Sequence, residues 1–298
     1  MSEVLCEGII KIYRTGGVEV VALRGLDLYV RSGELRVIVG PSGSGKSTLI
    51  SIIGGITRPD AGRVIVDGID IASMSESELV RYRRSNVGIV FQFFNLIHTL
   101  TALENVELPM VLSGVPRSRR RERARELLRI VGLGHRMHHK PSELSGGEQQ
   151  RVAIAAALAN DSPLILADEP TGELDSVTGM QIAKLFHELN REFGKTMIIV
   201  THDISMARIA DRISRIVDGK IAETVIPAEM EVMDTARLKI HDRIRILEER
   251  KKQIVREIDI LKRELAADKI SPDEFVERYI VLKGRLKEIE EELSKLRI

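Results

Sequence analysis

A glycine-rich stretch, GPSGSGKST at residues 40–48, has the residue types and spacing that hold phosphate groups. Its glycines let the backbone turn tightly, so that consecutive amide groups point at phosphate oxygens, and Lys46 supplies a cation to the β- and γ-phosphates of a nucleotide. The Ser47 hydroxyl can ligate Mg²⁺. A short apolar run, RVIVG (36–40), precedes the loop, and a helix-forming segment follows it. The predicted nucleotide contacts are Gly40, Pro41, Ser42, Gly43, Ser44, Gly45, Lys46, Ser47 and Thr48.

Two carboxylates end a second apolar run, LILADEP at residues 164–170. Ligands gather at the carboxyl ends of the strands in a parallel sheet, which would place this pair beside the phosphate loop. Asp168 is then a candidate to hold Mg²⁺ through water, and Glu169 is a candidate general base for an attacking water. The alternative, a solvated acidic pair in a turn, stays open on the residues alone.

A second glycine-containing turn, LSGGEQQR at residues 144–151, also precedes a helical segment. Amide groups at a helix start again form an anion site. Because a chain with one full phosphate loop rarely needs another such site for the same nucleotide, the economical interpretation is that this turn contacts a nucleotide bound by another subunit.

The elements that must position these motifs alternate between strands and helices. Several strand candidates are continuous runs of Val, Ile and Leu, as expected for parallel strands that are covered on both faces. Helical patterns lie between them, and this order predicts an α/β sheet sandwiched by helices. The other strand candidates are RVIVDG (63–68), VGIVFQ (87–92), TMIIVTH (196–202) and RISRIVDG (212–219).

Composition and charge exclude several classes of protein. Of 298 residues, 43% are apolar, which is enough for a sizeable core and argues against a disordered chain. The 45 Lys and Arg residues nearly balance the 44 Asp and Glu, so bulk binding to polyanions is not expected. The single Cys6 excludes a disulfide framework. Without a membrane-spanning apolar stretch or a signal-peptide pattern, we expect a cytosolic chain that reaches a membrane only through a partner.

The C-terminal part differs in composition, since residues 236–298 contain 17 Lys and Arg and 14 Asp and Glu. We therefore predict a first domain over 1–225, a linker over 226–234, and a helical hairpin or coiled coil over 235–298. The linker contains Pro227, which disfavours a helix at the residue before it.

Two series of apolar residues with 4-3 spacing predict that this part is an antiparallel helical hairpin. Ser271, Pro272 and Glu274 have the spacing of a capped helix start between the two helices. Lys251 occupies the one missing position of the first series. That series is Ile240, Ile244, Leu247, Ile254, Ile258, Leu261 and Leu265, and the second is Phe275, Tyr279, Leu282, Leu286, Ile289, Leu293 and Leu296.

Four longer segments together resemble one known family: VVALRGLDL (20–28), VFQFFNLIHTLTALENVELPM (90–110), KPSELSGGEQQRVAIAAALAND (140–161) and ILADEPTGELDSVTG (165–179). They resemble the nucleotide-binding subunits of ABC transporters over nearly all of residues 1–225. Within that family the chain is most similar to the MacB and LolD type, with FtsE-like proteins close by. The resemblance implies an α/β fold, the ABC-type nucleotide-binding domain of P-loop NTPases, with a mixed sheet and a helical subdomain over about 93–160.

The resemblance also implies ATP and Mg²⁺ as cofactors and gives roles to further residues. Tyr13 would stack on adenine, with an ordinary strand tyrosine as the alternative. Gln92 would touch Mg²⁺ and relay the nucleotide state to a membrane partner, and His202 would sense the γ-phosphate and support Glu169. Asp175 would lie in a loop that crosses a dimer interface. The γ-phosphate of the opposite subunit's ATP would be contacted by Ser145, Gly146, Gly147 and Glu148.

Three positions depart from the subfamily pattern. Glu173 stands where Asn is usual, Ala156 where Arg is common, and His98 where Pro is typical. None of them removes a phosphate, Mg²⁺ or base function, so we expect a competent ATPase. The basic run RSRRRERAR (117–125) is interpreted as a solvated helix face because acidic residues lie close by, and no direct contact with nucleic acid is expected.

The function implied by the resemblance is an ATP-hydrolysing subunit that pairs head to tail with a second copy around two ATP molecules. It would drive a separate membrane permease of the MacB, LolCDE or FtsX type in export, lipoprotein release or mechanotransmission, and would lie peripherally on the inner face of the cell membrane. The alternative is a non-transporter ABC ATPase in DNA repair or translation that uses the helical tail. Against it, the chain has a single phosphate loop, and the interval from Gln92 to Ser145 is too short for a long coiled-coil arm.

Overall fold

The structure is a computed structural model in which contacts divide the chain into two compact units, Met1–Pro227 and Ala228–Ile298. The predicted domain limits stay a prediction, and most of the predicted linker over 226–234 lies outside the described residues. No helix in the part of the chain that the structure describes is long and apolar enough to cross a bilayer. The described residues are 2–16, 18–228, 247–248, 251–252, 254–265 and 271–296.

Strands and helices alternate through much of the first unit. In chain order the strands are β1 (Val4–Thr15), β2 (Val18–Val30), β3 (Leu35–Val39), β4 (Ala61–Val66), β5 (Ile69–Asp70), β6 (Val87–Val90), β7 (Leu164–Asp168), β8 (Thr196–Thr201), β9 (Arg212–Val217) and β10 (Lys220–Val225). The helices are α1 (Lys46–Ile53), α2 (Glu76–Ser85), α3 (Ala102–Leu112), α4 (Arg117–Ile130), α5 (Gly146–Ala157) and α6 (Ser176–Phe193).

The main sheet has its strands in the order β10-β9-β3-β8-β7-β6. It is mixed, because β10 is antiparallel to β9 while the other neighbours are parallel. β3 and β8 are buried along their whole length, so their continuous apolar runs do form strands covered on both faces. Parallel strands end at the same edge, and the segments after Val39, Val90, Asp168 and Thr201 therefore leave the sheet together.

A second, antiparallel sheet has the strand order β2-β1-β4-β5, and of its strands the sequence pattern indicated only β4, as the candidate RVIVDG (63–68). The pairing of β1 with β2 shifts register between Cys6 and Ile9, and Gly8 and Gly25 have positive φ. Such bulges interrupt the two-residue alternation by which a half-buried strand is recognised. Side chains of this sheet, of α1 and of the main sheet form one apolar core.

Capping side chains fix the starts of several helices. α2, α3 and α5 each begin with a complete capping box, in which a Ser or Thr side chain and a Glu side chain three residues later each accept a hydrogen bond from the other's backbone amide. α3, α4 and α5 pack on one another and lie within the range predicted for the helical subdomain.

The described residues of the second unit are helical at 247–248, 251–252 and 254–265, and after these in α7 (Pro272–Leu296). Lys251 forms an ion pair with Glu290 at 2.6 Å, and Arg278 lies 3.9 Å from Glu264. Residues later in the part before α7 thus meet residues earlier in α7, so the two run antiparallel. This geometry confirms the predicted hairpin, and it gives Lys251 an ionic partner at the missing apolar position.

The start of α7 follows the sequence pattern, and within its described apolar series Leu293 is buried while Phe275, Tyr279, Leu282, Leu286 and Ile289 are half-buried. Ser271 Oγ accepts a hydrogen bond from the amide of Glu274 at 3.2 Å, which is the predicted N-cap. Ile240 and Ile244 lie outside the described residues. The buried members of the two series are Leu247, Ile254, Ile258, Leu261 and Leu293.

Candidate functional site

The phosphate loop runs from β3 into α1 and leaves the helix start open to an anion. Gly45 has φ +102°, and a Cβ there would lie 2.5 Å from the carbonyl oxygen of Ala22, so only glycine fits. No side chain among the described residues caps α1, and no acidic residue lies in its first turn. The hydroxyl of Ser44 is buried without a hydrogen-bond partner in the described chain. The backbone amides of the loop and the Ser44 hydroxyl can therefore donate hydrogen bonds to phosphate, and the helix dipole adds partial positive charge.

Lys46 is the buried cation of this loop. Its Nζ donates to the carbonyl oxygens of Gly40 and Pro41 at 2.8 and 2.9 Å. It also lies 3.4 Å from Oε1 of Glu169, which connects the loop to the end of β7. The structure thus brings the predicted cation and the predicted general base together, although they are far apart in sequence.

Glu169 is held in a fixed orientation between β7 and β8. Its backbone has φ +46°, a left-handed conformation whose strain costs a non-glycine residue about 1–3 kcal/mol and which is common at functional sites. Its Oε2 accepts hydrogen bonds from the backbone amide of His202 at 3.0 Å and from Nδ1 of the same residue at 2.9 Å. Because a carboxylate only accepts, Nδ1 of His202 carries the proton.

Asp168 faces the helix that follows the phosphate loop. Ser47 Oγ donates to its Oδ1 at 2.9 Å. Burial raises the pKa of Asp168 because it disfavours the charged carboxylate, while the hydrogen bond from Ser47 acts in the opposite direction. Val90 of β6 pairs with Ala167 of β7, so the segment that carries Gln92 leaves the sheet at the same edge.

These side chains fit Mg²⁺. The hydroxyl of Ser47, the carboxylate of Asp168 and the amide oxygen of Gln92 are hard oxygen donors, which Mg²⁺ prefers. The raised pKa of Asp168 marks a partly buried carboxylate whose charge a cation would offset.

The second glycine-containing turn is organised by a different set of side chains. Ser145 caps α5, since its Oγ accepts from the amide of Glu148 at 3.3 Å and its own amide donates to Oε2 of Glu148 at 2.8 Å. Arg136 donates to the other oxygen of that carboxylate at 3.2 Å. The hydrogen bonds with Ser145 and the charge of Arg136 lower the pKa of Glu148. The sequence gives no periodic signal for Arg136, whose contact depends on tertiary structure.

Comparison with known proteins identifies this arrangement. The family model for ABC transporters matches residues 23–172. The chain belongs to the ABC transporter family. The lipoprotein-releasing system ATP-binding protein LolD of Bacteroides fragilis is 48% identical over 215 residues, which are 72% of this chain and 98% of LolD. The macrolide export ATP-binding/permease protein MacB of a Shewanella species is 46% identical over 83% of this chain and 38% of MacB.

A solved structure supports the same assignment. The dimeric, post-hydrolysis ATP-binding cassette MJ0796 of Methanocaldococcus jannaschii, bound to ADP and Pi, has a TM-score of 0.70 and 46% identity, covering 75% of this chain and 98% of that chain. The chain is thus an ABC ATPase with the fold predicted from its sequence, and its cofactors are ATP and Mg²⁺.

Gln92 of this ABC ATPase is held by Glu173. Its Nε2 donates to Oε1 of Glu173 at 3.0 Å, and a Cβ on Gly172 would lie only 3.2 Å from that nitrogen. The sequence marks Glu173 as a departure from the subfamily pattern but gives no sign of this contact, because the two residues lie 81 positions apart.

Asp175 acts as the N-cap of α6 within the subunit. Its carboxylate accepts hydrogen bonds from the amides of Val177 and Thr178 and from the Thr178 hydroxyl, and these hydrogen bonds lower its pKa. A Cβ built on Gly147 would collide with the Thr178 methyl group. The loop before α6 and the start of α5 are therefore in close contact, and glycine is needed there.

Tyr13 lies on β1, in the antiparallel sheet, where it pairs with Val20 of β2. The residue is 39% exposed, and Nζ of Lys11 lies 5.6 Å from the ring centroid. β2 passes the phosphate loop at Ala22, two residues after Val20, which connects the tyrosine to the loop through the strand. An exposed ring on this path can stack on a base.

Proposed function

We propose that this chain is the ATP-binding subunit of a LolD- or MacB-type transporter. Two copies would pair head to tail around two ATP molecules and drive a separate integral-membrane permease in export, lipoprotein release or mechanotransmission. The chain would lie peripherally on the inner face of the cell membrane through that permease. The observation that carries the proposal is the pair of glycine-containing helix starts, one with Lys46 and Glu169 beside it and the other, at Ser145, with neither.

The phosphate loop would bind the nucleotide of its own subunit. The amides of Gly43 to Thr48 and the ammonium of Lys46 would contact the phosphates, and Tyr13 would stack on adenine. Ser47, Asp168 and Gln92 would hold Mg²⁺, which neutralises charge on the β- and γ-phosphate oxygens when bound.

Glu169 would act as the general base of hydrolysis. Its Oε2 is bound by His202, so the carboxylate is oriented before the attacking water arrives. Oε1 lies on the side of Lys46, where the γ-phosphate would be held. It would accept the proton that the water loses as the water oxygen bonds to the γ-phosphorus and the bond from that phosphorus to the departing ADP oxygen breaks. His202 would contact the γ-phosphate through Nε2, because its Nδ1 is engaged by Glu169.

The turn at the start of α5 would complete the site of the opposite subunit. Ser145, Gly146, Gly147 and Glu148 would contact or support contact with the γ-phosphate of that subunit's ATP, and loss of this phosphate would let the dimer open. Movement would pass to the permease around Gln92 and the segment that follows it. The relatives LolD and MacB are components of a lipoprotein-releasing system and of a macrolide exporter, which favours this proposal over DNA repair or translation.

Glu169→Gln tests the ATP-dependent dimer. This variant should bind ATP but hydrolyse it about 10²–10⁴ times more slowly, since it keeps the shape of the base and loses its proton affinity. We expect it to elute as a dimer in size-exclusion chromatography with ATP and as a monomer without it. Lys46→Ala is the control that should stay monomeric in both conditions. An ATP-saturated Glu169→Gln chain that stays monomeric would contradict the head-to-tail dimer.

Affinity purification from membranes of the source cells tests the permease. A tagged Glu169→Gln chain with ATP should retain one integral-membrane protein, identified by mass spectrometry, with four membrane helices and a large extracytoplasmic domain. Purification with a DNA-repair or ribosomal complex instead would overturn the transporter assignment.

A further inference from the structure

The contact between Gln92 and Glu173 determines which way the Gln92 amide points. A carboxylate oxygen only accepts hydrogen bonds, so the amide must present its NH₂ group to Glu173, as the 3.0 Å contact from Nε2 to Oε1 has it. The amide oxygen is then directed away from Glu173. Gly172 leaves the Gln92 amide little room to move, because even an added Cβ on Gly172 would lie 3.2 Å from Nε2 and 3.4 Å from Cδ of Gln92.

We propose that Glu173 is a positioning residue that fixes the amide of Gln92 with its oxygen available to Mg²⁺. The proposal rests on the proposed role of Gln92 in holding that ion. A glutamine amide without a partner is not oriented in advance, so Mg²⁺ would have to select the rotamer that presents the oxygen, which is the only ligand atom of the amide. Partners that orient a ligand in this way change metal affinity about 10–100-fold in other proteins.

The same loop also connects Gln92 with the start of α5. A Cβ built on Gly146 would lie 3.2 Å from Cδ2 of Leu174, the residue after Glu173, and 3.7 Å from Cζ of Phe94, two residues after Gln92. Phe94 has φ +58°, so the chain turns sharply there. The segments that carry Gln92 and Glu173 therefore both lie close to Gly146, which contacts the other subunit's nucleotide in the proposed dimer.

A spectroscopic experiment on the nucleotide-free full chain tests the contact itself. The side-chain NH₂ signals of Gln92, assigned by their loss in Gln92→Ala, should shift in Glu173→Ala and should not shift in Glu188→Ala. Glu188 is a matched control because it is an exposed glutamate on α6, paired with Lys184. Unchanged Gln92 signals in Glu173→Ala would overturn the proposal.

A binding experiment tests the consequence for Mg²⁺. In the Glu169→Gln background, ATP affinity is measured by calorimetry with and without Mg²⁺. Glu173→Ala should reduce the gain in affinity from Mg²⁺ about tenfold, the lower end of the range because Glu173 is exposed. Glu173→Gln should lose less, since its amide oxygen can still accept from Gln92. The double variant Gln92→Ala/Glu173→Ala should show the same gain in ATP affinity from Mg²⁺ as Gln92→Ala alone, because Glu173 acts only through Gln92.

The outcomes separate this proposal from the proposed function. A Glu173→Ala chain with an unchanged Mg²⁺ dependence, or a double variant whose losses add, would overturn the positioning role. Gln92→Ala with an unchanged Mg²⁺ dependence would also overturn it, by removing the role of Gln92 on which it rests. In either case the ATP-dependent dimer of Glu169→Gln would still stand or fall by chromatography.

Discussion

The starts of α1 and α5 both contain glycines and both follow the pattern of an anion site, yet they are built differently. α1 begins at a left-handed Gly45, without a capping side chain among the described residues and without an acidic residue in its first turn. α5 begins at Ser145 with a complete capping box, and its first turn carries Glu148, whose charge Arg136 offsets. The first start therefore leaves its donors for an anion, whereas the second partly satisfies its own.

The difference predicts the order in which the two helix starts engage ATP. An anion can bind the α1 start without displacing any capping side chain, and Lys46 adds a full positive charge. At the α5 start the capping box already engages the backbone amides of Ser145 and Glu148, so fewer donors are left for an approaching anion. This start is therefore suited to a phosphate that another subunit presents in place, and ATP should bind α1 first and recruit α5 afterwards.

The largest expected effect is the difference between replacing Gly45 at the start of α1 and replacing Gly146 at the start of α5. Gly45→Ala forces a Cβ against the Ala22 carbonyl at φ +102° and should lower the free energy of unfolding by about 2 kcal/mol or more, with ATP binding lost. In Gly146→Ala the added Cβ lies 3.2 Å from the flexible end of Leu174 and in ordinary contact, 3.7 Å, with Cζ of Phe94. It should keep ATP binding and weaken the ATP-dependent dimer. Chemical denaturation and calorimetry measure both, and equal losses of ATP affinity would break the comparison.

A smaller effect is expected from two variants of Ser145, which distinguish its role as the cap of α5 from its contact with phosphate. Ser145→Asp keeps a capping oxygen but replaces the hydroxyl donor with a negative charge, so stability should hold while the ATP-dependent dimer is lost. Ser145→Ala removes the cap and should cost about 1 kcal/mol of stability. Thermal unfolding and size-exclusion chromatography report the two properties separately. A Ser145→Asp chain that dimerises normally with ATP would remove Ser145 from the phosphate contact.

The smallest effect concerns two carboxylates with opposite pKa shifts. The pKa of Asp168 is raised by burial, so its ionised form costs stability at neutral pH, and the cost disappears as pH falls through the raised pKa. Glu148 has a lowered pKa from its hydrogen bonds with Ser145, so its ionised form contributes stability that is lost as pH falls through that lowered value. Asp168→Asn should raise the melting temperature of the nucleotide-free chain at pH 7, and Glu148→Gln should lower it.

Repeating the melting experiment at lower pH is the control for these two variants. Both differences from the parent chain should shrink as the pH is lowered, because the parent carboxylates become neutral like the amides that replace them. Melting temperatures that change in the same direction for both variants at pH 7 would contradict the assigned pKa shifts.

The parts of the fold and site that depend on a continuous stretch of chain were predictable from the sequence. A strand, a glycine turn and a helix follow one another around Lys46, and the hairpin of the second unit follows from apolar spacing and a cap at Ser271. Strands β1 and β2 of the antiparallel sheet were not predictable, because bulges near Gly8 and Gly25 break their alternation.

The contacts that tune the site were not predictable, because they join residues distant in sequence or on separate elements. Glu173 reaches Gln92 across 81 positions, and Arg136 reaches Glu148 from the segment before α5. Glu169 is joined to β8 by a hydrogen bond from its backbone amide to the carbonyl of Val200, and its carboxylate accepts from the amide of His202. Residue types suggested the chemistry of Glu169, and the family resemblance implied the roles of Gln92, Glu148 and His202. Tertiary structure determined which neighbours orient them.

One complementation experiment tests most directly that α1 and α5 of different subunits form one ATP site. Lys46→Ala and Ser145→Asp are each placed in the Glu169→Gln background, and ATP retained through gel filtration is measured for each chain and for their mixture. A mixed dimer has one site with an intact phosphate loop from one chain and an intact Ser145 from the other. We expect each variant alone to release ATP and the mixture to retain one ATP per dimer. A mixture that retains no more ATP than the separate variants would contradict the account.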